Sequence, residues 1–574
     1  MILKSKQYLL VLFSLVLLLP AAVLSQGTGT VASADRTDPT QSKPASGKKS
    51  VTVEQVNAEM REALALIEKN HVRGNKLDYI DTIKVAVDSM LHTLDPHSNF
   101  YDAKETEQFK TEQRSQYFGI GATIGDLSDE KGNLIATYIK ATFDGAPAHR
   151  AGLRYGDKIV DVNGKSMLGK PFSEVRSHLR GERGTLARIT VERLHTGKLE
   201  TFDITRDAVS QPSISEAYMM RPGIGYIALR SAFNHTTYGE FVDAMRNLKA
   251  QGMQQLVLDL RDNGGGLVFQ SVQIANTFLS NGQMIVRQRG RKVDHLDPYV
   301  AVNRNPERMP LVVLVNRSSA SASEILSGAL QDHDRALIVG EKTYAKGLVQ
   351  NPFTLADGSM LMLVIAKFET PSGRLIQRDY SNGGLYNYLT DGGSLKDEDT
   401  PAAAPTGPGS KTDAGRDVYS GGGITPDVAI KPQMIAVERV RVQNRMTNPL
   451  LAFSLDLIAG RVKGFENLLT NKPITFGYDL KPTDFLITDE IYSAYKKFAS
   501  EKYKIAPAVT DSEKEFVQRI LRTELVTASY GMETSQQVFN EYDQTLLKSF
   551  DLLPQAKLMA IEALKPKAQP ANRP

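Results

Sequence analysis

The chain has 574 residues, of which 41% are apolar and 23% are charged, and its formal net charge is +4. This length exceeds what one ordinary hydrophobic core organises, so several domains are expected, and the small net charge gives no support to nucleic-acid or membrane-surface binding. The absence of cysteine excludes disulfides, thiolate catalysis and a lipid-modified N-terminal cysteine.

Residues 1–25 have the order of a secretory signal peptide. Lys4 and Lys6 precede an apolar run, and small residues follow it up to a candidate cleavage point after Ser25. The run is short for a membrane span of about 20 residues, so a cleaved signal is favoured over an uncleaved membrane anchor. Because an exported chain without disulfides fits a bacterial periplasm, we expect a periplasmic protein, membrane-associated only if the signal is retained.

Residues 26–50 are rich in Gly, Ser, Thr, Pro and Lys without an apolar period, which predicts a disordered linker. Residues 51–113 are predicted to form an N-terminal helical region with a second helix over about 79–94, ending ahead of Pro96. The first helix is indicated by apolar residues at helical spacing, namely Val56, Met60, Leu64 and Ile67.

Residues 114–210 change to the period of a β-strand. In "ARITVERL" the apolar Ile189 and Val191 alternate with polar residues, which indicates a half-buried strand. "DKIVDVNGKSM" is typical of a strand that leads into an Asn-Gly turn. These patterns predict a small, mainly β domain.

Residues 211–430 alternate apolar strands with helical patterns, which predicts an α/β core with its loops gathered at the strand ends. The Gly-, Pro- and Asp-rich residues 379–418 are predicted to interrupt this core as a surface loop. The strand candidates are residues 223–229, 255–260, 311–316 and 335–340.

Residues 431–574 are predicted to be a helical region with a frayed C-terminal tail. Ser512 and Glu515 have the spacing of a capping box ahead of an apolar helical pattern. That pattern consists of Phe516, Ile520, Leu521 and Leu525.

Metal and nucleotide chemistry find little support in the motifs. No HExxH motif occurs among the nine histidines, and no histidine pair stands at ligand spacing with a carboxylate cluster nearby. "DNGGGL" (262–267) follows a strand and could bind an anion through its backbone, but it has neither a Gly-Lys-Ser/Thr ending nor GxGxxG spacing. We expect no metal and no cofactor.

The strongest chemical signal is a serine cluster at a strand-to-helix junction, "NRSSASASEILSGAL" (316–330). Ser318 or Ser319 could simply be the N-cap of the helix. A nucleophilic serine needs a base, and Lys346 lies in an apolar setting that could keep its amine neutral. A snorkelling surface lysine is the plainer alternative, and His333 is a rival base in a polar segment at a helix end.

In chain order, the motifs resemble those of the carboxyl-terminal processing proteases, also called tail-specific proteases, over residues 51–430. The family consists of serine peptidases with an embedded PDZ domain. The resemblance implies a multidomain α/β protein, with a ClpP/crotonase-like protease core at 211–430, a PDZ domain at 114–210, and helical N- and C-terminal regions. The motifs are "LDPHSNFY" (94–101), "FGIGATI" (118–124), "GAPAHRAGLRYGDKIVDVNG" (145–164), "LVLDLRDNGGGL" (256–267), "SASASE" (319–324), "GEKTYAKGLVQ" (340–350), "TPSGR" (370–374) and "GGITPD" (422–427).

The resemblance assigns roles to individual positions. The nucleophile would be Ser321, the general base Lys346, and Gln350 would orient the amine. The oxyanion would be held by the backbone N–H of Ala322 and by one from the glycine loop. Two positions can supply that second N–H, Gly265 and Gly266, and the sequence does not choose between them.

Two positions depart from the family pattern. Ala345 stands where the family usually has Gly before the lysine, and Gly264 stands where it usually has Pro. Both are changes between small residues, so activity is expected to survive. The 379–418 insertion is not part of the family pattern.

The PDZ domain has a predicted carboxylate-binding loop. Backbone N–H groups there could capture a substrate C-terminus while the peptide adds as an extra strand. The alternative is a module that merely packs on the core. The loop residues are Phe118, Gly119, Ile120 and Gly121.

The resemblance therefore implies a serine endopeptidase that cleaves periplasmic proteins near their C-termini through a Ser–Lys dyad, with the PDZ domain binding substrate C-termini or gating the site. Its partners would be protein substrates with free C-termini, with an adaptor protein and a homodimer as further possibilities. No nucleic acid is expected. A catalytically inactive PDZ scaffold is the alternative from another function class.

Overall fold

The computed structural model describes residues 51–293, 296–381, 388, 407–432, 435–470 and 472–562. The predicted signal peptide, the predicted linker and the last residues of the tail lie outside these ranges. The chain divides into two compact units, residues 1–83 and 84–574. Across the described ranges, no helix combines the length and the apolar character that crossing a membrane requires.

The described part of the first unit is mainly helical, as predicted. Helix α1 (Val53–Asn70) begins after Thr52, whose hydroxyl accepts the Gln55 N–H at 3.3 Å. The Gln55 side chain in turn accepts the Thr52 N–H at 2.9 Å, which completes a capping box. Helix α2 (Tyr79–His92) starts in this unit and ends in the second.

The second unit begins with two short elements followed by a mainly β module. Ile189 and Val191 are fully buried and Arg188 is exposed, which confirms the alternation predicted from the sequence. The module has one antiparallel sheet in the order β3-β4-β5-β7-β8, with β6 paired to β5 and a separate pair of β2 with β9. The elements are β1 (Asn99–Tyr101), α3 (Ala103–Gln113), β2 (Gln116–Gly119), β3 (Ala122–Ser128), β4 (Leu134–Thr142), α4 (Pro147–Ala151), β5 (Lys158–Val162), β6 (Lys165–Ser166), α5 (Phe172–Leu179), β7 (Leu186–Glu192), β8 (Leu199–Thr205) and β9 (Asp207–Ser210).

The predicted α/β core contains two sheets. The larger has the order β10-β11-β12-β15-β16-β21, and all its neighbours are parallel except β10 and β11. The smaller has the order β1-β18-β13-β14, with β17 also paired to β18. The elements are β10 (Glu216–Arg221), β11 (Ile224–Ala228), α6 (Thr237–Ala250), β12 (Gln255–Asp259), α7 (Val268–Phe278), β13 (Met284–Arg289), β14 (Tyr299–Val300), β15 (Leu311–Val315), α8 (Ala322–Asp332), β16 (Leu337–Gly340), β17 (Leu348–Thr354), β18 (Met360–Glu369), β19 (Gly409–Lys411), β20 (Asp417–Tyr419) and β21 (Val428–Ala429).

The C-terminal region is helical, as predicted, but the predicted capping box is wrong. Ser512 is the last residue of a short helix, and its hydroxyl donates to the Val509 carbonyl at 2.8 Å. The next helix begins at Lys514. One helix therefore ends and another begins between Ser512 and Glu515, whereas the spacing of these two residues indicates only a helix start. The elements are α9 (Val437–Ile458), α10 (Asp489–Tyr503), α11 (Pro507–Ser512), α12 (Lys514–Asn540) and α13 (Gln544–Glu562).

Both faces of the larger sheet are covered, which explains why its strands are apolar throughout. On β15, Leu311, Val313 and Val315 pack with helices α6, α7 and α8. The alternate residues Val312 and Leu314 pack with the C-terminal helix α13. The last helix of the chain is therefore the third layer of the core.

Helices α9, α10 and α12 form a further hydrophobic cluster that includes Tyr138 and Tyr155 of the β module. The Tyr155 hydroxyl donates to the Glu524 carboxylate of α12 at 2.6 Å. The β module is therefore anchored to the C-terminal helices.

The insertion at 379–418 is only partly described, and its described residues differ from the predicted surface loop. Residues 409–419 contain the hairpin β19–β20, in which Val418 is 5% exposed. Tyr388 is also 5% exposed. Gly- and Pro-rich composition indicates turns, but it does not reveal that single apolar side chains between them are buried.

Candidate active site

Ser321 lies in the tight turn that joins strand β15 to helix α8. Its backbone has φ 56° and ψ −113°, an unusual conformation for a residue with a side chain. Such conformations cost about 1–3 kcal/mol and persist only where the surroundings enforce them. Ser321 is itself the N-cap, so the prediction that Ser318 or Ser319 caps the helix is wrong. Six residues, 316–321, separate the end of β15 from the first residue of α8, and the cap is the last of them.

Two neighbouring serines fasten this turn to the glycine loop. The Ser319 hydroxyl is fully buried and donates to the Leu260 carbonyl at 2.8 Å. The Ser323 hydroxyl, also fully buried, donates to the Asn263 carbonyl at 3.0 Å. Of the four serines, only Ser318 is exposed, so three have places fixed by the fold.

A single carboxylate, Glu324, joins the serine turn to the lysine segment. Its Oε2 accepts the backbone N–H groups of Ser321 at 2.9 Å and of Lys346 at 2.8 Å. Its Oε1 accepts the Ala345 N–H at 2.8 Å and the Thr343 hydroxyl at 2.5 Å. Burial raises the pKa of Glu324, and the hydrogen bonds it accepts oppose that rise. Since all four partners donate, the side chain is suited to the ionised form.

The Lys346 amine is oriented by Gln350. Its Nζ donates to Gln350 Oε1 at 2.8 Å, and Gln350 Nε2 donates to the His97 carbonyl at 2.6 Å. Because a carbonyl only accepts, the His97 carbonyl fixes which end of the amide faces the amine. The geometry therefore brings Lys346 and Gln350 together as the resemblance implies.

Lys346 has the electrostatic setting of a base. Burial lowers its pKa from the usual value for lysine, whereas Glu324 and Asp95 oppose that decrease. The amine's hydrogen bond is with Gln350, and none joins it to the Ser321 hydroxyl among the described residues. Catalytic hydrogen bonds are often long without substrate and tighten in the complex.

The glycine loop approaches Ser321 closely. A Cβ added to Gly265 would lie 2.6 Å from the Ser321 Cβ and 3.0 Å from the Ala322 nitrogen, so no larger residue fits there. The Gly265 N–H donates to Asn263 Oδ1 at 2.8 Å. In the described part of the chain, the N–H groups of Gly266 and Ala322 have no hydrogen-bond acceptor. Hydrogen bonding therefore favours Gly266 over Gly265 as the free donor.

Residues 95–98 also reach this site, which the sequence did not indicate. Asp95 Oδ1 accepts the N–H groups of His97 and Ser98 at 2.7 Å each. The pKa of His97 is lowered to about 3, chiefly by burial and further by the charges of Lys346 and Arg378. His97 is therefore neutral at physiological pH. The only signal in the sequence is the motif "LDPHSNFY" (94–101), and the resemblance assigns no site role to its residues.

The predicted carboxylate-binding loop lies between β2 and β3. Phe118 and Gly119 pair with β9, and the carbonyls of Ile120 and Gly121 accept backbone N–H groups from Ala148 and Phe143. The N–H groups of Ile120 and Gly121 have no acceptor among the described residues. β3 is an edge strand of its sheet. The Asn448 side chain covers the far end of this edge, where it accepts the Ser128 N–H at 3.1 Å and donates to the Ser128 carbonyl at 2.8 Å.

Comparison with known proteins identifies two domains in the chain. Residues 223–383 match the model of peptidase family S41, and residues 140–193 match the PDZ domain model. The chain contains a peptidase family S41 domain and a PDZ domain. Both matches fall inside the segments where the motifs predicted them.

Relatives of this chain are named as proteases. It is 31% identical to a probable CtpA-like serine protease of Staphylococcus saprophyticus, over 56% of this chain and 65% of the relative. It is 34% identical to one of Staphylococcus aureus, over 51% of this chain and 57% of the relative. It therefore spans less than two thirds of these relatives' length. The photosystem II D1 C-terminal processing protease is 27% identical, with 68% of this chain and 95% of that chain covered at a TM-score of 0.33.

The two departures from the motifs have different structural settings in the S41 domain. Ala345 has φ 72°, the left-handed region that favours glycine, which gives a physical reason for the family's usual Gly. At Gly264, an added Cβ would meet nothing within 4 Å. A larger residue would fit at that position.

The rival base His333 is engaged elsewhere. It caps the C-terminal end of α8, about 16 Å along the helix from its start. Its ring nitrogens contact Asp413 Oδ2 at 2.8 Å and the Met284 carbonyl at 2.7 Å. A Ser–His pair between Ser321 and His333 is incompatible with this arrangement. Within the described ranges, no cluster of three or more His, Asp or Glu side chains is placed to hold a metal ion.

Proposed function

We propose that the chain is a serine endopeptidase of the carboxyl-terminal processing type that acts through a Ser321–Lys346 dyad. The observation that carries this proposal is the Glu324 carboxylate, which binds the backbone of both residues while Gln350 holds the amine. Because one buried carboxylate accepts the backbone N–H groups of both residues, it holds the serine and the lysine at a fixed separation.

The proposed reaction starts with the neutral amine of Lys346 taking the Ser321 hydroxyl proton. The oxygen attacks the scissile carbonyl carbon, and the N–H groups of Ala322 and Gly266 stabilise the oxyanion that forms. Each such donor contributes about 3 kcal/mol in known cases. The protonated amine then gives its proton to the leaving amino group, and the same amine later activates water to release the acyl group.

Substrate selection belongs to the PDZ domain in this proposal. The free N–H groups of Ile120 and Gly121 would bind the substrate's C-terminal carboxylate, and the peptide would pair with the edge of β3 that follows this loop. The substrates would be periplasmic proteins with free C-termini, reached after export by the predicted signal peptide.

The test compares purified variants on an unfolded test protein, with mass spectrometry of the products. Ser321→Ala and Lys346→Ala should each abolish cleavage, whereas Ser318→Ala should cleave normally because that side chain is exposed. Full activity in the Ser321 or Lys346 variant would contradict the proposal. No cleavage by the unaltered protein at any pH would favour the inactive PDZ scaffold.

The cellular part of the proposal needs a separate experiment. Periplasmic proteins from cells with the active enzyme and with Ser321→Ala should differ in their C-termini. Substrates should accumulate with longer C-termini in the Ser321→Ala strain. Identical C-termini in the two strains would contradict C-terminal processing while leaving the peptidase chemistry intact.

A further inference from the structure

Tyr388 belongs to the insertion at 379–418, yet it lies beside the catalytic machinery. Its side chain is 5% exposed. Its hydroxyl is 2.8 Å from His97 Nε2 and 3.2 Å from Gln377 Nε2. Neither partner belongs to the insertion, so this residue links the insertion to the core.

The direction of the Gln377 hydrogen bond follows from its neighbour. Gln377 Oε1 accepts the N–H of Gly347 at 2.8 Å, which leaves the Gln377 amide nitrogen facing Tyr388. That nitrogen donates to the Tyr388 oxygen, and the same hydroxyl is hydrogen-bonded to the neutral ring of His97 through Nε2.

His97 connects this hydroxyl to the base. Its ring is hydrogen-bonded to Tyr388, and its backbone carbonyl accepts from Gln350 Nε2 at 2.6 Å. Gln350 Oε1 accepts from Lys346 Nζ at 2.8 Å. Holding the His97 residue in place therefore holds the amide that orients the amine.

The ring of Tyr388 is itself held firmly. The Arg378 guanidinium carbon lies 3.9 Å from the centre of that ring and 4.4 Å from the centre of the Tyr344 ring, a cation–π arrangement on both sides. The backbone N–H of Arg378 donates to the carbonyl of Ala345 at 3.2 Å, and Ala345 directly precedes Lys346 in the chain. Arg378 therefore contacts both Tyr388 of the insertion and the segment that contains Lys346.

We propose that Tyr388 is a positioning residue for the Lys346 amine, acting through His97 and Gln350. This inference rests on the proposed peptidase function and gives the insertion a catalytic purpose that the family motifs do not include. Tyr388 does not contact the reacting atoms. It holds His97, whose carbonyl orients the Gln350 amide, and that amide orients the Lys346 amine.

The test is Tyr388→Phe, which removes the hydroxyl and keeps the ring on Arg378. We expect kcat to fall about tenfold while KM stays within twofold, because substrate contacts are unchanged. The matched control is Tyr380→Phe in the same segment, whose ring packs against Tyr388. Its hydroxyl contacts neither His97 nor Gln350, so its kcat should equal that of the unaltered enzyme.

A double-mutant cycle separates positioning from general structural support. In a Gln350→Ala background, Tyr388→Phe should lower the residual kcat by less than threefold, because the path to the amine is already broken. A tenfold decrease in both backgrounds, an unchanged kcat in Tyr388→Phe, or a rise in KM alone would overturn the inference. So would loss of folding at the assay temperature, measured by thermal unfolding. Cleavage by the unaltered enzyme and its loss in Ser321→Ala establish separately whether the peptidase function holds.

Discussion

At the scale of single residues, the decisive features are a strained serine, a half-buried lysine and the carboxylate between them. Motif resemblance selects Ser321 from four serines, and its φ of 56° shows what distinguishes it from its neighbours. The sequence could not show that Glu324 binds both segments, because its partners in the lysine segment lie 19–22 residues away in the chain. It also gave no sign that the His97 carbonyl sets the orientation of Gln350.

Replacement of Lys346 by methionine should remove activity without loss of stability. Because the pKa of folded Lys346 is lowered, the unfolded chain binds the proton more readily, which decreases the free energy of unfolding at neutral pH. Stability of the unaltered protein should therefore rise with pH as the pH passes up through the lowered pKa towards the unfolded value. Denaturant unfolding at pH 7 should give Lys346→Met an unfolding free energy equal to or above that of the unaltered protein. A decrease of more than about 1 kcal/mol would show that the ammonium stabilises the fold.

Asp95 should tune the pH dependence of cleavage. Its negative charge raises the pKa of Lys346, so Asp95→Asn should lower that pKa and increase the neutral fraction of the amine. The acid limb of kcat/KM against pH should then move to lower pH. Asp357→Asn is the control, because Asp357 is exposed and does not affect the Lys346 pKa. An acid limb that stays in place or moves to higher pH would contradict Lys346 as the base.

At the scale of elements, the site is built where the strand ends of the larger sheet meet a second, smaller sheet. The alternation of apolar strands and helices predicted the larger sheet and its helices well, because buried parallel strands are apolar throughout. The smaller sheet was not predicted. Its strands β1, β13 and β18 come from distant parts of the chain, and periodicity carries no information on such pairing.

The hydrogen bonds by which Glu324 joins the serine turn to the lysine segment should contribute to both stability and activity. Glu324→Gln replaces an acceptor with an amide nitrogen that faces buried donors, and we expect a loss of about 2–4 kcal/mol of unfolding free energy together with loss of activity. Glu341→Gln is the control, because it alters a partly exposed pair with Arg317 and should cost less than about 1 kcal/mol. Equal effects of the two substitutions in denaturant unfolding would contradict this role of Glu324.

At the scale of the whole molecule, helix α13 completes the α/β core. The sequence left open whether the terminal helices build an oligomer or cover core surface, since an apolar helix face is compatible with both. The structure shows that α13 covers one face of the larger sheet, with Leu553 1% exposed. Helices α9, α10 and α12 instead join the PDZ domain to the rest of the second unit.

Truncation of a buried side chain on α13 should therefore destabilise the core. Leu553→Ala should lower the unfolding free energy by about 2–4 kcal/mol, as large-to-small changes in cores do. Leu558→Ala on the same helix is the control, because that side chain is 69% exposed and should change stability by less than about 0.5 kcal/mol. Equal, small effects would mean that α13 is not part of the core in solution.

The most direct test of the Ser321–Lys346 dyad is to locate the acyl group during turnover of an activated ester. The reaction is quenched with acid, and the acylated peptide is mapped by mass spectrometry. The dyad predicts an acyl group on Ser321 in the unaltered enzyme and in Ser318→Ala, and none in Lys346→Met. An acyl group on another residue, or acylation of Ser321 that persists unchanged in Lys346→Met, would contradict it.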